Sequence, residues 1–217
     1  MVTIFHIVKK ANCDTQFRTA ILKALTCARQ NNRKIKVYIA SGFFDEIVNS
    51  KRTPVSSFTD LNLNTNLRTL LSDLEVEVLG AYNGKKDLVE FCKSLRLAGA
   101  SVKVFYKHRF HTKLFIIESN GEVLFEIIGS SNLTISAYEG IRHTKTKIFR
   151  SYNSECDLIL IKNSLNFKLE TNENVMQLKY DEIGNKISIK ERMNSVLKQI
   201  EEFKVNNNMQ DITHEIK

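Results

Sequence analysis

His111-Thr112-Lys113 opens onto the apolar run Leu114 to Ile117, Val123 to Ile128 leads into Gly129-Ser130-Ser131-Asn132, and Asn153-Ser154-Glu155 precedes Leu158 to Ile161. Each apolar run is short and bounded by polar residues, so each reads as a buried strand. The polar groups therefore sit at strand ends. On an extended segment residues i and i+2 point to one face, so the imidazole of His111 and the ammonium of Lys113 can converge on one phosphate. A carboxylate from a neighbouring strand can then orient the imidazole.

Upstream of this stretch the chain alternates strand and helix. Thr3 to Val8 reads as a first strand, with His6 inside it as a core residue rather than a ligand. Asp14 can cap a helix whose stripe is Phe17, Ile21, Leu22, Leu25 and Ala28. Ile35 to Ala40 is a buried strand ending in Ser41-Gly42-Phe43-Phe44. Ser41 and Gly42 are assigned to the substrate-binding surface, because glycine permits close backbone approach. Of the two phenylalanines one is expected in the core, and the other is left as core or cleft floor. Ser50 to Thr59, with the sole proline, Pro54, reads as an irregular loop. Leu63 to Leu74 repeats at helical spacing, Val76 to Leu79 is a strand, Leu88 to Leu95 is a helix ended by Gly99, and Val102 to Tyr106 is a fourth strand. Such alternation predicts an α/β fold with a mixed, mostly parallel sheet flanked by helices.

Between Asn132 and Glu155 lie Arg142, His143, Lys145, Lys147 and Arg150, interleaved with Tyr138, Phe149 and Tyr152. A basic loop is often only a solvated surface, but one set between two motif elements is expected to border the substrate. His143-Thr144-Lys145 repeats the earlier tripeptide without a following G-S-x-N, so it is not a second motif copy. After Leu165 the composition turns Asn- and Lys-rich. The expected organisation is a catalytic domain over 1–165 and a C-terminal extension over 166–217. In the extension, Gly184-Asn185 suggests a short hairpin between Met176 to Leu178 and Ile187 to Ile189. Ser188 and Glu191 fit a capping box, and Met193, Val196, Leu197, Ile200 and Phe203 form an apolar stripe that packs on the domain or on another copy of it. Val205 to Lys217 is polar and expected to fray.

Composition bounds the function. The 217 residues, 42% of them hydrophobic, suffice for one well-buried domain. Lys plus Arg number 32 against 24 Asp plus Glu, a formal charge of +8 that favours polyanionic partners, with nucleic acid ahead of a membrane surface. No apolar run reaches the roughly 18 residues of a membrane span, and Met1 to Lys10 lacks the pattern of a secretory signal. A cytoplasmic location is expected. Cys13, Cys27, Cys92 and Cys156 show neither C-x-x-C spacing nor nearby histidines, and are expected to be buried small hydrophobes. No metal site and no cofactor are predicted, since no set of carboxylates clusters near a strand end.

The ordered elements H-x-K, G-S-x-N and N-x-E resemble the signature of the phospholipase D superfamily. With Val37 to Phe43, Val76 to Gly80 and Gly99 to Val104 upstream, the first three quarters of the chain resembles the catalytic domain of BfiI-type restriction endonucleases. The superfamily's usual Asp, five residues after the Lys, is Glu118 here, a departure that counts more against lipid hydrolysis than against nuclease activity. The resemblance implies a phospholipase D-like fold and a metal-independent reaction. In it His111 attacks phosphorus, Lys113, Ser130 and Asn132 hold the phosphate oxygens, Glu155 orients the imidazole, and a second histidine protonates the leaving oxygen. A neutral imidazole is a competent nucleophile, and a fixed cation stabilises the charge that develops. The chain carries one complete motif, so a homodimer sharing its active site is expected.

The function expected is therefore a phosphodiesterase or endonuclease of the restriction or defence kind, with DNA favoured over RNA and no membrane partner. The alternatives are a phospholipase D-type lipid phosphodiesterase, which usually carries two motif copies, and an inactive nucleic-acid-binding module.

Overall fold

In this computed structural model the residues described are 2–9, 16–31, 34–48, 51–54, 67–82, 84–131, 141–142, 149–150, 155–167, 169–171, 175–178 and 188–216. The strands are β1 (Val2–Lys9), β2 (Lys36–Ala40), β3 (Asp45–Val48), β4 (Lys51–Pro54), β5 (Glu75–Gly80), β6 (Ser101–Tyr106), β7 (Leu114–Ser119), β8 (Glu122–Gly129), β9 (Ile141–Arg142), β10 (Phe149–Arg150), β11 (Glu155–Lys162), β12 (Val175–Leu178) and β13 (Gln210–Asp211). The α-helices are α1 (Gln16–Asn31), α2 (Leu67–Leu71), α3 (Lys85–Leu97) and α4 (Ile189–Asn206).

Nine of these strands form one mixed sheet in the order β12-β1-β11-β8-β7-β2-β5-β6-β13. The fold is α/β, as expected, but the parallel character is narrower than strand-helix alternation suggested. Only β2, β5 and β6 pair in parallel, and every other neighbour in the sheet is antiparallel. The cause lies in the connections. Helices carry the chain between the parallel strands, whereas β7 returns directly as β8 through Asn120-Gly121, both at positive φ (52° and 79°). Two residues in that conformation make the tight hairpin turn whose twist matches the strands. The loop expected over Ser50 to Thr59 also begins in a two-stranded ribbon, β3 with β4.

Helices α1, α2 and α3 cover one face of the sheet. Phe17, Ile21, Leu25 and Ala28 of α1 and Leu88, Phe91, Cys92 and Leu95 of α3 are buried in one cluster with Phe5, Val37, Val76, Phe115, Phe125 and Ile159. Helix α4 covers part of the other face. Its Ile189, Met193 and Ile200 are buried against Tyr38, Ile116 and Val123, with Val196, Leu197 and Phe203 packed beside them. The apolar stripe is thus consumed within the chain. The capping box is present: Glu191 N donates to Ser188 Oγ at 3.2 Å and Ser188 N donates to Glu191 Oε2 at 2.8 Å. Under the helix, the buried Glu77 carboxylate pairs with Lys36 at 3.2 Å and with Lys204 at 2.6 Å.

The C-terminal residues are woven into this sheet. Strand β12 pairs with β1 as one edge of the sheet, α4 crosses the face, and β13 pairs with β6 at the opposite edge. Of the expected hairpin only this first arm is a strand; Ile189 begins α4, and Gly184, Asn185 and Ile187 lie outside the described residues. The expected fraying beyond Val205 is also corrected. Ile212 and Ile216 are buried in the larger core, Ile212 N donates to Val104 O at 2.9 Å, and Lys85 pairs with Glu215 at 2.6 Å. These two isoleucines, with Met209 packed against the smaller core, seat the stretch.

Candidate active site

Strand pairing brings the motif elements together. Leu114 of β7 is opposite Ile128 of β8, and Gly129 of β8 is opposite Asp157 of β11. The residues before β7, after β8 and at the start of β11 consequently meet at one end of the sheet. Among these, Lys113 Nζ contacts both ring nitrogens of His111, lying 3.3 Å from Nε2 and closer to Nδ1, and donates to His111 O at 3.0 Å. His111 is exposed while Lys113 is buried. The expected pair therefore exists as a reachable imidazole over a sheltered ammonium.

Ser130 and its neighbour divide the turn between them. Ser130 is exposed; its N donates to Cys156 O at 3.1 Å and its Oγ accepts from Cys156 N at 2.9 Å. Ser131 is buried, and both its N and its Oγ donate to Asp157, at 3.1 Å and 2.5 Å. Glu155 is the first residue of β11, opposite Lys9; its side chain lies outside the described residues, as does Asn132. Of the basic loop, the backbone of Arg142 pairs with Phe149 in the β9–β10 ribbon, and His143, Lys145 and Lys147 lie outside the described residues.

Ser41 and Gly42, expected at the substrate-binding surface, are both buried. The Ser41 hydroxyl donates to Phe43 O at 2.8 Å, so its role is to shape the turn that presents Phe43. That turn separates the two phenylalanines. Phe44 is buried against Phe91, with ring centroids 5.0 Å apart, and a Cβ on Gly80 would meet it at 2.5 Å. Phe43 instead lies at the site, edge-on to His111 at 6.3 Å and 5.5 Å from Tyr82, which is itself edge-on to His111 at 5.3 Å. Tyr82 reaches this place because its N donates to Gly42 O. Sequence reasoning missed Tyr82, since nothing local to Ala81-Tyr82 signals a neighbour near residue 111.

His6 and Cys156 also depart from expectation. Cys92 is buried, as expected of a small hydrophobe, and Cys13 lies outside the described residues, but Cys156 is exposed and its Sγ lies 2.8 Å from His6 Nε2. The strands β1 and β11 pair antiparallel, which brings together residues 150 positions apart. Among the described residues no helix is long and apolar enough to cross a membrane.

An imidazole, a buried ammonium and a serine-rich turn at one strand end can hold and attack a phosphoryl group. A scan against protein-family models and a search of curated proteins give no match. Among solved structures the fold is similar to NucT from Helicobacter pylori, with 15% identity, 74% of this chain and 86% of that one covered, and a TM-score of 0.41. It is also similar to polyphosphate kinase from Porphyromonas gingivalis, with 10% identity, coverage of 76% and 24%, and a TM-score of 0.37.

Proposed function

We propose that this protein is a phospholipase D-like, metal-independent phosphodiesterase that cleaves DNA endonucleolytically through a phosphohistidine, in a restriction or defence role. The observation that carries the reading is the convergence of the His111–Lys113 pair with the Gly129-Ser130-Ser131 turn and the start of β11 through the β7–β8–β11 pairing. A nitrogen of His111 attacks phosphorus and the bond to the leaving sugar oxygen breaks, that oxygen taking a proton from an acid. Water then attacks the phosphohistidine, releasing a phosphate monoester and the free imidazole. Lys113, Ser130 and Asn132 hold the non-bridging oxygens, and Glu155 orients the ring. Arg142, His143, Lys145 and Lys147 bind the DNA backbone; neutralising two of these charges lowers the slope of log affinity against log salt by about two units, at about 0.9 per phosphate contact.

The acid is His111 of a second copy, because the chain holds one complete motif and the leaving oxygen needs a second imidazole, with His108 or His143 as the alternative acid. Ile128, Leu158 and Met176 are exposed, Leu158 standing opposite Ile128 and both Leu158 and Met176 opposite His6 in the pairing, and they offer that copy an apolar surface.

The test is cleavage of plasmid and single-stranded DNA in excess EDTA. Wild type should cut, and a His111→Ala variant of unchanged melting temperature should not. Activity lost in EDTA and restored by magnesium overturns the mechanism. Wild type titrated with His111→Ala, once subunits exchange, should lose activity as the square of its mole fraction; a linear loss overturns the shared site.

A further inference from the structure

Asp157 lies two residues along β11 from Glu155, just ahead of the apolar run Leu158 to Ile161, and it is only 2% exposed. Its carboxylate takes both hydrogen bonds that Ser131 can donate. It also explains the glycine of the turn: a Cβ on Gly129 would lie 2.0 Å from Asp157 Oδ1 and 2.7 Å from its Cα, so only glycine lets β8 close against this acid. Lys113, Ser131, Gly129 and Asp157 line one small cavity at the sheet end, floored by Phe115 and Ile127. Burying a carboxylate or an ammonium alone is costly, and here the two groups line the same cavity.

We infer that Asp157 is a positioning residue of the candidate active site, anchoring the Gly129-Ser130-Ser131 turn through Ser131 and serving as counter-charge to Lys113. The inference rests on the phosphodiesterase reading for its effect on rate, while its effect on Lys113 does not. With both groups preset, the phosphate meets a turn and an ammonium that need no rearrangement, the condition under which such groups contribute most.

The test uses Asp157→Asn, which keeps the shape and removes the charge, together with Ser131→Ala and the double variant. On bis(p-nitrophenyl) phosphate and on DNA, Asp157→Asn should lower kcat by about 100-fold, the cost of a small misplacement, with KM nearly unchanged. Ser131→Ala should lower kcat less, and the double variant should lose no more than Asp157→Asn alone, because the residues act as a unit. Additive losses, or a wild-type kcat in Asp157→Asn, overturn the inference. Independently of activity, the Lys113 ammonium followed by NMR should titrate about one unit lower in Asp157→Asn than in wild type. An unchanged Lys113 titration overturns the counter-charge, whereas a wild type that cleaves neither substrate overturns the functional reading and leaves the NMR result standing. Should Asp157→Asn fail to fold, the kcat of Ser131→Ala decides alone: wild-type turnover there overturns the anchoring role.

Discussion

On the face of the sheet covered by α1 and α3, Asp157 is buried with Ser131 as donor and Lys113 across the same cavity; on the α4 face Glu126 is equally buried, at 2% exposure, and has no ionic or hydrogen-bonding partner among the described residues. The two acids stand on neighbouring strands, yet they are held in different ways. Burial pushes the Glu126 carboxyl up to about 8, so near neutral pH it is a neutral acid among Ile116 and Leu160. A further acid of the same α4 face shows the alternative, since Glu77 is buried there with Lys36 and Lys204 at hand. A buried acid is tolerated by pairing or by protonation, and the pairing nearest the strand-end motifs belongs to Asp157.

The sharpest way to break this contrast is Lys113→Met. It should reduce cleavage about 100- to 1000-fold through loss of transition-state charge stabilisation. It should also cost about 3 kcal/mol in urea denaturation at pH 8, because the buried Asp157 loses its counter-charge. A variant that loses activity at full stability would show that Asp157 does not depend on Lys113.

Glu126→Gln acts on the other side of the comparison. The folded-state carboxyl titrates near 8 and the unfolded one near the ordinary 4.5, so between those values the native state holds a proton that the unfolded chain has released. Stability attributable to this group is therefore full at low pH and falls as pH rises toward 8, by about 1.4 kcal/mol per unit. Urea midpoints at pH 5, 6, 7 and 8 should show the wild type weakening relative to Glu126→Gln; parallel curves would mean that Glu126 has a partner.

Glu77→Ala should cost about 2 kcal/mol, less than a fully sequestered pair because Lys36 is about a quarter exposed. Its signature is a lowered melting temperature with kcat intact, which separates the α4 clasp from the site. Smallest of all, Ser188→Ala removes the α4 cap and should cost about 1 kcal/mol by the same assay. A loss much larger than that would mean Ser188 does more than cap.

Much of this architecture is legible in the chain. The strand runs and the α1, α3 and α4 stripes are set by periodicity, and His111 with Lys113 follows from i, i+2 geometry. Strand direction is not, because strands covered on both faces lose the alternation that marks antiparallel pairs. That is why the sheet is expected to be mostly parallel, whereas β7, β8 and β11 pair antiparallel. Asp157 escaped notice for a related reason: in Cys156-Asp157-Leu158 it looks like a polar interruption, although an acid inside a buried strand is itself an unusual signal. Phe43 and Phe44 carry identical local information. Only the turn set by Ser41 and the approach of Gly80 decide which one reaches His111.

The C-terminal segment that supplies β12 and β13 bears on how the molecule is assembled during synthesis. Strands β1 and β6 are made early, but each keeps one flank of unpaired amides and carbonyls until residues 175–178 and 210–211 have been made. The margins of the sheet are sealed by the same stretch, and sealed late. A nascent chain is thus most open to strand exchange with its neighbours just before this step.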